Sequence, residues 1–492
     1  MGLYESVIDT AGTIFGGADD RSLRKLLWTV FERIKRTPDL INPNLLVETV
    51  KSLAFSVLGS IFGAVGSVSS IREAVFRNEI NATTLILLRD KAGDLAKFLL
   101  DFVEVAKCYY RADGSLQSGL DDEHVLYTEF NELDFSKDRN RHAAICQMQR
   151  LALSVIYILQ NLLTPVAFKD IKMSEHTNLQ SDRGIRLQET YTTRDGTRSN
   201  GGGNNRSRME ERHKKMLDPE AKAAISDNNE KWLFVNGIAG EMFWLELACN
   251  KLKAMFHRNI TGVFNRGDGI LWDLIECLGQ RSSYVQNPDI NATMLKNYRD
   301  GVVKDQRTMI EHTKSSKISQ ELLRTKLLQT LNDHGNGNRH IVMIAHSQGC
   351  LLLRHVLEDL IMMAAGDEYL RRTMRKCLCV FTFGNPSLHW KTQKPHPRPL
   401  GELDGTYLSS HVLRTEHFAN SGDFVAKLGV LSETSDYGLD EVFINEEEAW
   451  IGHLFGTQYS MKPEHYKNSN KHQSWLLKCC FGTKISDVIA RN

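Results

Sequence analysis

A chain of 492 residues is too long for one ordinary core, and its 41% hydrophobic and 25% charged residues are those of a folded protein with two domains. A formal net charge of +1 excludes the basic surplus with which a nucleic-acid binder neutralises a phosphate backbone. The nine cysteines show no disulfide-framework rhythm. Cys249, Cys277, Cys350, Cys377 and Cys379 lie in apolar segments and read as buried free thiols. With no secretory signal pattern in view, a reducing, cytoplasmic setting is expected.

Residues 1–175 read as an all-helical N-terminal region. Leu23, Leu26, Leu27, Val30, Phe31 and Ile34 recur at helical spacing, with Arg24, Lys25, Arg33 and Lys35 on or near the opposite face. Further helical patterns run around 95–109 and 143–163, and proline is nearly absent, as long helices require. Ser52 to Ile71 is uncharged and carries Gly59 and Gly63 at Gly-x-x-x-Gly spacing, but its serines and glycines make it a poor hydrophobe. A packed helical hairpin is expected there in preference to a membrane span. The opening Met1-Gly2-Leu3-Tyr4-Glu5-Ser6 fits the loose myristoylation pattern, with Gly2 as acceptor, and a single such chain anchors only marginally.

Residues 176–228 are polar and rich in Gly and Asn, with too few large apolar groups to order themselves. They read as a linker or a lid-like excursion. From residue 229 to 492 short apolar strands alternate with helical patterns, which predicts an α/β domain with a mostly parallel sheet.

Within that domain Ala345-His346-Ser347-Gln348-Gly349 has small–x–Ser–x–Gly spacing. The five residues alone are a weak signal, and an ordinary βα turn is the plain alternative. Their setting is stronger. Ile341 to Ile344 reads as a buried strand, and Cys350 to Leu360 as a helix with Glu358 and Asp359 near its end. Strand, sharp turn and helix are what lift a serine hydroxyl above a sheet edge, with small residues two before and two after to avoid collision.

These features give residues 231–460 a resemblance to α/β-hydrolases of lipase or esterase type. Lys231 to Glu241, a strand running into Asn236-Gly237-Ile238-Ala239-Gly240 and a helix from about Met242, is similar to the family's His-Gly-type oxyanion loop. Asn236 stands in the histidine's place. The resemblance implies the backbone N–H groups of Ile238 and Gln348 as oxyanion donors, and Gly237, Ala239 and His346 as substrate-binding positions. His346 is nonetheless expected to face away from the reacting atoms, because neighbours on an elbow point in different directions. Cys377 to Ser387 resembles the family's next buried strand, ending at Gly-Asn-Pro. Its cysteines lack metal-site company, so core packing is preferred to zinc.

The family order places an acid and then a histidine after the serine. Asp423, in the loop of "ANSGDFVAKLG", is the choice of acid, with Glu416, Asp436 and Asp440 behind it, and a helix N-cap role competes for it. His453, after Gly452 in "EEEAWIGHLFGTQYS", is the choice of base ahead of His417, His465 and His472. The implied activity is carboxylic-ester hydrolysis through an acyl-enzyme on a Ser347–His453–Asp423 triad, with no metal and no organic cofactor. A lipid-like ester is the expected substrate, with peripheral membrane contact through the N-terminal region, and Cys479-Cys480 read either as a palmitoylation site or as a buried pair. An acyltransferase or thioesterase on the same triad, or a scaffold with a degenerate hydrolase domain, are the alternatives.

Overall fold

In the computed structural model, residues 230–267, 314–333, 340–392, 406–438, 440–447 and 452–491 are described, with 190–193 and scattered positions of 129–147 and 269–277. The chain divides into two compact units, Met1–Gly184 with Gly267–Lys314, and Ile185–Arg266 with Ser315–Asn492. In the first unit the Asn140 side chain donates to the carbonyls of Asn131 and Asp134 over 2.7 and 3.0 Å and so holds a short turn. Positions 138–140, 142–144 and 147 are helical, which covers the start of the pattern at 143–163; the rest of the helical patterns of 1–175, Ser52 to Ile71, the Arg24–Lys35 face and Gly2 lie outside the described residues. Among the described residues no helix is long and apolar enough to cross a membrane.

The second unit is built on one eight-stranded sheet. Its strands are β1 (Thr190–Thr192), β2 (Glu230–Val235), β3 (Ile260–Val263), β4 (His340–His346), β5 (Leu378–Phe383), β6 (Arg414–Asn420), β7 (Val442–Asn445) and β8 (Tyr466–Asn468). They lie in the order β1-β3-β2-β4-β5-β6-β7-β8. The six central strands are parallel, and β1 and β8 close the edges antiparallel. The sheet is therefore mixed but mostly parallel, as the alternating pattern predicts.

The inner strands follow from composition. Leu378 to Phe383 is buried at every position, and β4 at all but His340. Such continuous apolar runs suit strands covered on both faces. Helices α1 (Met242–Phe256), α2 (Lys314–Asn332), α3 (Gln348–Ala364) and α4 (Glu368–Cys377) supply the crossovers, and α5 (Phe424–Leu428) follows β6. Helix α3 extends beyond the predicted Leu360 to Ala364, and Glu358 is buried within it. Cys377 ends α4 and is half-buried, outside the strand that contains Cys379.

Strand β1 departs from the sequence expectation, since it falls inside the predicted linker 176–228. The Thr-Tyr-Thr run favours extended backbone, and the open edge of β3 offers it hydrogen-bonding partners that composition does not reveal. Apart from residues 190–193, the stretch 176–228 lies outside the described residues.

Strand order then locates a switch point. The chain leaves β2 for β3 on one flank and returns to β4 on the other, from which it proceeds outward through β5, β6 and β7. The order reverses between β2 and β4. Above their carboxyl ends two loops diverge, and open α/β sheets bind ligands at such a switch point.

Candidate active site

Ser347 stands at that switch point, between the last residue of β4 and the first of α3. Its backbone has φ 57° and ψ −128°, left-handed territory that costs a non-glycine residue about 1–3 kcal/mol. The turn is clamped by the Ser347 N–H donating to the Phe383 carbonyl over 2.8 Å and by the Ser347 carbonyl accepting from Cys350 N–H over 2.8 Å. The flanking glycines are forced by close approach. A Cβ on Gly237 would lie 2.3 Å from Ser347 Cβ, and one on Gly349 2.6 Å from the Asn236 carbonyl oxygen.

Strand β6 leads to Asp423. Its chain turns at Asn420 and reaches Asp423, whose carboxylate accepts from Val425 N–H over 2.8 Å and caps α5. The cap and the contact with His453 coexist on one side chain. Capping fixes the carboxylate, and its two oxygens lie 2.9 and 2.8 Å from His453 Nδ1. His453 lies in the β7–β8 connection, just before the short helix α6 (Phe455–Gln458), and its Nε2 is 2.9 Å from Ser347 Oγ. An ionised carboxylate only accepts, so Nδ1 carries the proton and Nε2 accepts from the serine hydroxyl. Ser347, Asp423 and His453 are 0%, 1% and 3% exposed, so the hydrogen-bonded chain lies away from bulk water.

The loop that carries His453 is held by side chains from across the sheet. Asn420 Nδ2 donates to the carbonyls of Gly452 and Gln458 over 2.7 and 2.8 Å. Lys251, fully buried on α1, donates to the carbonyls of Phe455 and Tyr459 over 2.6 and 2.5 Å. Tyr459 in turn donates its hydroxyl to Asp423 Oδ2.

His346 corrects an expectation. It does not face away: its ring centroid is 4.7 Å from that of His453, and its Nε2 is 2.9 Å from the His453 carbonyl oxygen. Residues 346 and 347 do diverge, but the folded-over His453 loop meets both. Burial first, and repulsion from His453 next, hold the His346 imidazole well below its usual pKa, so it is a neutral donor to that carbonyl. Its ring is held against the histidine loop.

The other predicted positions fall as follows. Gly237 packs on Ser347, Ile238 is half-buried in the bend after β2, and Ala239 is buried with φ 53°. Gln348 opens α3, and its side-chain oxygen accepts from Asn265. The rival acids are engaged elsewhere. Buried Glu416 accepts from Ser474 Oγ and Trp475 N–H and anchors helix α7 (Trp475–Lys478), Asp436 pairs with Lys391 and Tyr407, and Asp440 sits in the turn before β7. His417 hydrogen-bonds Thr382 on the neighbouring strand, and His465 closes a turn before β8. His472 is exposed. Cys479 is buried and Cys480 half-buried, with their thiols on the carbonyls of Trp475 and Met461. Among the described residues no group of three or more His, Cys, Asp or Glu is placed to hold a metal ion.

Asn265, Tyr459, Lys251 and Asn420 were not singled out from sequence. Asn265 and Lys251 lie outside any motif, while Asn420 and Tyr459 lie in the stretches that carry Asp423 and His453 without a role assigned to them there; only the fold shows what they hold. No protein-family model, curated protein or solved structure matches the chain.

Proposed function

We propose that the second unit has the α/β-hydrolase fold and acts as a serine hydrolase on carboxylic esters, with a lipid-like ester as its substrate class. One observation carries the proposal. Ser347 and His453, 106 positions apart, and Asp423, 30 positions from His453, meet in one buried hydrogen-bonded chain, with the serine on a strained turn at the switch point. A structural serine in a βα turn needs neither the strain nor the pair of partners.

The reaction would proceed by acyl transfer. Ser347 Oγ attacks the ester carbonyl while its proton passes to His453 Nε2, and Asp423 holds the imidazole and offsets its charge. The carbonyl oxygen, now negative, is stabilised by the N–H groups of Ile238 and Gln348. The tetrahedral centre collapses, the C–O bond breaks, and the alcohol leaves with the proton from His453. Water then attacks the acyl-enzyme by the same route in reverse, releasing the acid and restoring the serine.

Labelling with a fluorophosphonate tests this. Wild-type protein should take the probe on Ser347, and Ser347→Ala and His453→Ala should not. A folded wild-type protein that resists labelling, or a Ser347→Ala variant that still hydrolyses p-nitrophenyl esters, would overturn the proposal.

A further inference from the structure

The loop after β3 inserts Asn265 between the β2 loop and the start of α3. Its side chain is fully buried. Nδ2 donates to the Gly237 carbonyl over 3.2 Å and to Gln348 Oε1 over 2.8 Å. The backbone of Asn265 is paired in both directions with one side chain: its N–H donates to Asn236 Oδ1, and its carbonyl accepts from Asn236 Nδ2, each over 2.7 Å. Asn236 Nδ2 also reaches the Gly237 carbonyl at 3.3 Å.

The chemistry of these groups fixes their orientation. A backbone carbonyl can only accept, so Gly237 determines which end of the Asn265 amide is the NH₂, and that NH₂ turns the Gln348 amide oxygen toward it. The Gly237 carbonyl and the Ile238 N–H belong to one planar trans peptide and point in opposite directions, so holding the first aims the second. Gln348 is the first residue of α3, at the positive end of the helix dipole, and tying back its side chain restrains that first turn. A single buried amide thus grips both segments whose N–H groups would meet the oxyanion.

We infer that Asn265 is a positioning residue for the oxyanion site, presetting the Ile238 and Gln348 N–H groups before substrate enters. The inference rests on the serine-hydrolase reading above. Donors already fixed in place need no reorganisation as charge develops on the substrate oxygen, which is where such sites gain most of their effect. Asn265 contacts neither His453 nor Asp423 in the hydrogen-bond pattern, so its effect should be separable from theirs.

The test compares wild type with Asn265→Leu, which keeps the branched shape without adding a charge and loses the two Nδ2 donors, and with Asn265→Ala. Active sites are first counted by fluorophosphonate labelling carried to completion, and p-nitrophenyl ester hydrolysis is expressed per labelled site. The expected result is a fall in kcat of roughly 30-fold with KM within about twofold, and an equal weakening of inhibition by a trifluoromethyl ketone, whose hemiketal resembles the tetrahedral intermediate. The pH profile should keep its shape. Unchanged kcat per labelled site, with fewer sites or a lower Tm, would make Asn265 a purely structural residue and overturn the inference. Wild type that takes no label would instead remove the hydrolase reading and this inference with it. Asn265→Ser, smaller and still polar, replaces either variant that fails to fold and should show the same split.

Discussion

The Tyr459 hydroxyl donates to Asp423 Oδ2 over 2.5 Å, with both side chains buried beside His453. Val425 N–H and His453 Nδ1 complete the set, so three donors converge on one carboxylate. Burial, then the adjacent negative charge of Asp423, raises the phenol well above its usual pKa, so it stays a donor throughout the working pH range.

Tyr459→Phe keeps the ring that packs edge-on against Phe383 at 5.5 Å and removes only the donor. Without that donor the carboxylate loses one of the three contacts that fix it against His453 Nδ1, so kcat/KM should fall about tenfold, the scale of one hydrogen bond to a charged group. An unchanged kcat/KM would leave Tyr459 only a packing role.

His346→Phe preserves an aromatic ring against His453 and deletes the Nε2–H bond to its carbonyl. Loss of one neutral hydrogen bond is worth about 1 kcal/mol, or roughly fivefold in rate if it is spent on loop position. Ester-hydrolysis rates per labelled site should show that drop. A larger loss in KM alone would return His346 to the substrate-binding surface.

Lys251→Met leaves the Phe455 and Tyr459 carbonyls without their ammonium donor while filling its volume. Orphaned buried acceptors outweigh the relief of desolvating one charge, because hydrogen bonds to charged groups are worth about 1.5–3 kcal/mol each. Urea unfolding should show a loss of about 2 kcal/mol. A variant as stable as wild type would mean that the ammonium is tolerated there without holding the loop.

Burial lowers the pKa of His417 from 6.5 to about 3. In the unfolded chain it takes up a proton near pH 6.5, and in the folded chain only near 3. Between those values the unfolded state binds more protons, so this histidine's contribution to stability is full above pH 6.5 and declines as pH falls, by about 1.4 kcal/mol per unit. His417→Phe keeps a ring among Trp390 and Tyr437 and abolishes the titration. The stability gap between wild type and variant should shrink by that slope from pH 6.5 to 5 in urea titrations. A gap independent of pH would contradict the burial argument.

Much of the second unit was legible in one dimension because its signals are local. Apolar runs marked β2, β4 and β5, and the start of α1 at Met242 agrees with the pattern that predicted it. Steric demands of a turn are local as well, so the small residues around Ser347 could be read together with the strand and helix they separate. Strand β1 was missed because three residues have no periodicity of their own and are ordered by the edge of β3.

What the sequence determined by itself was therefore the alternation of elements, the strained turn at Ser347, and a short list of acids and histidines in the right order. Only the tertiary structure decided among them. Asp423 rather than Glu416 reaches His453 because β6 places Glu416 within the sheet and Asp423 above its carboxyl end. It also brought Asn265, Tyr459, His346 and Lys251 to the site. A buried hydrogen bond depends on distances of about 3 Å between residues far apart in the chain, and chain order carries no record of those distances until the sheet has formed.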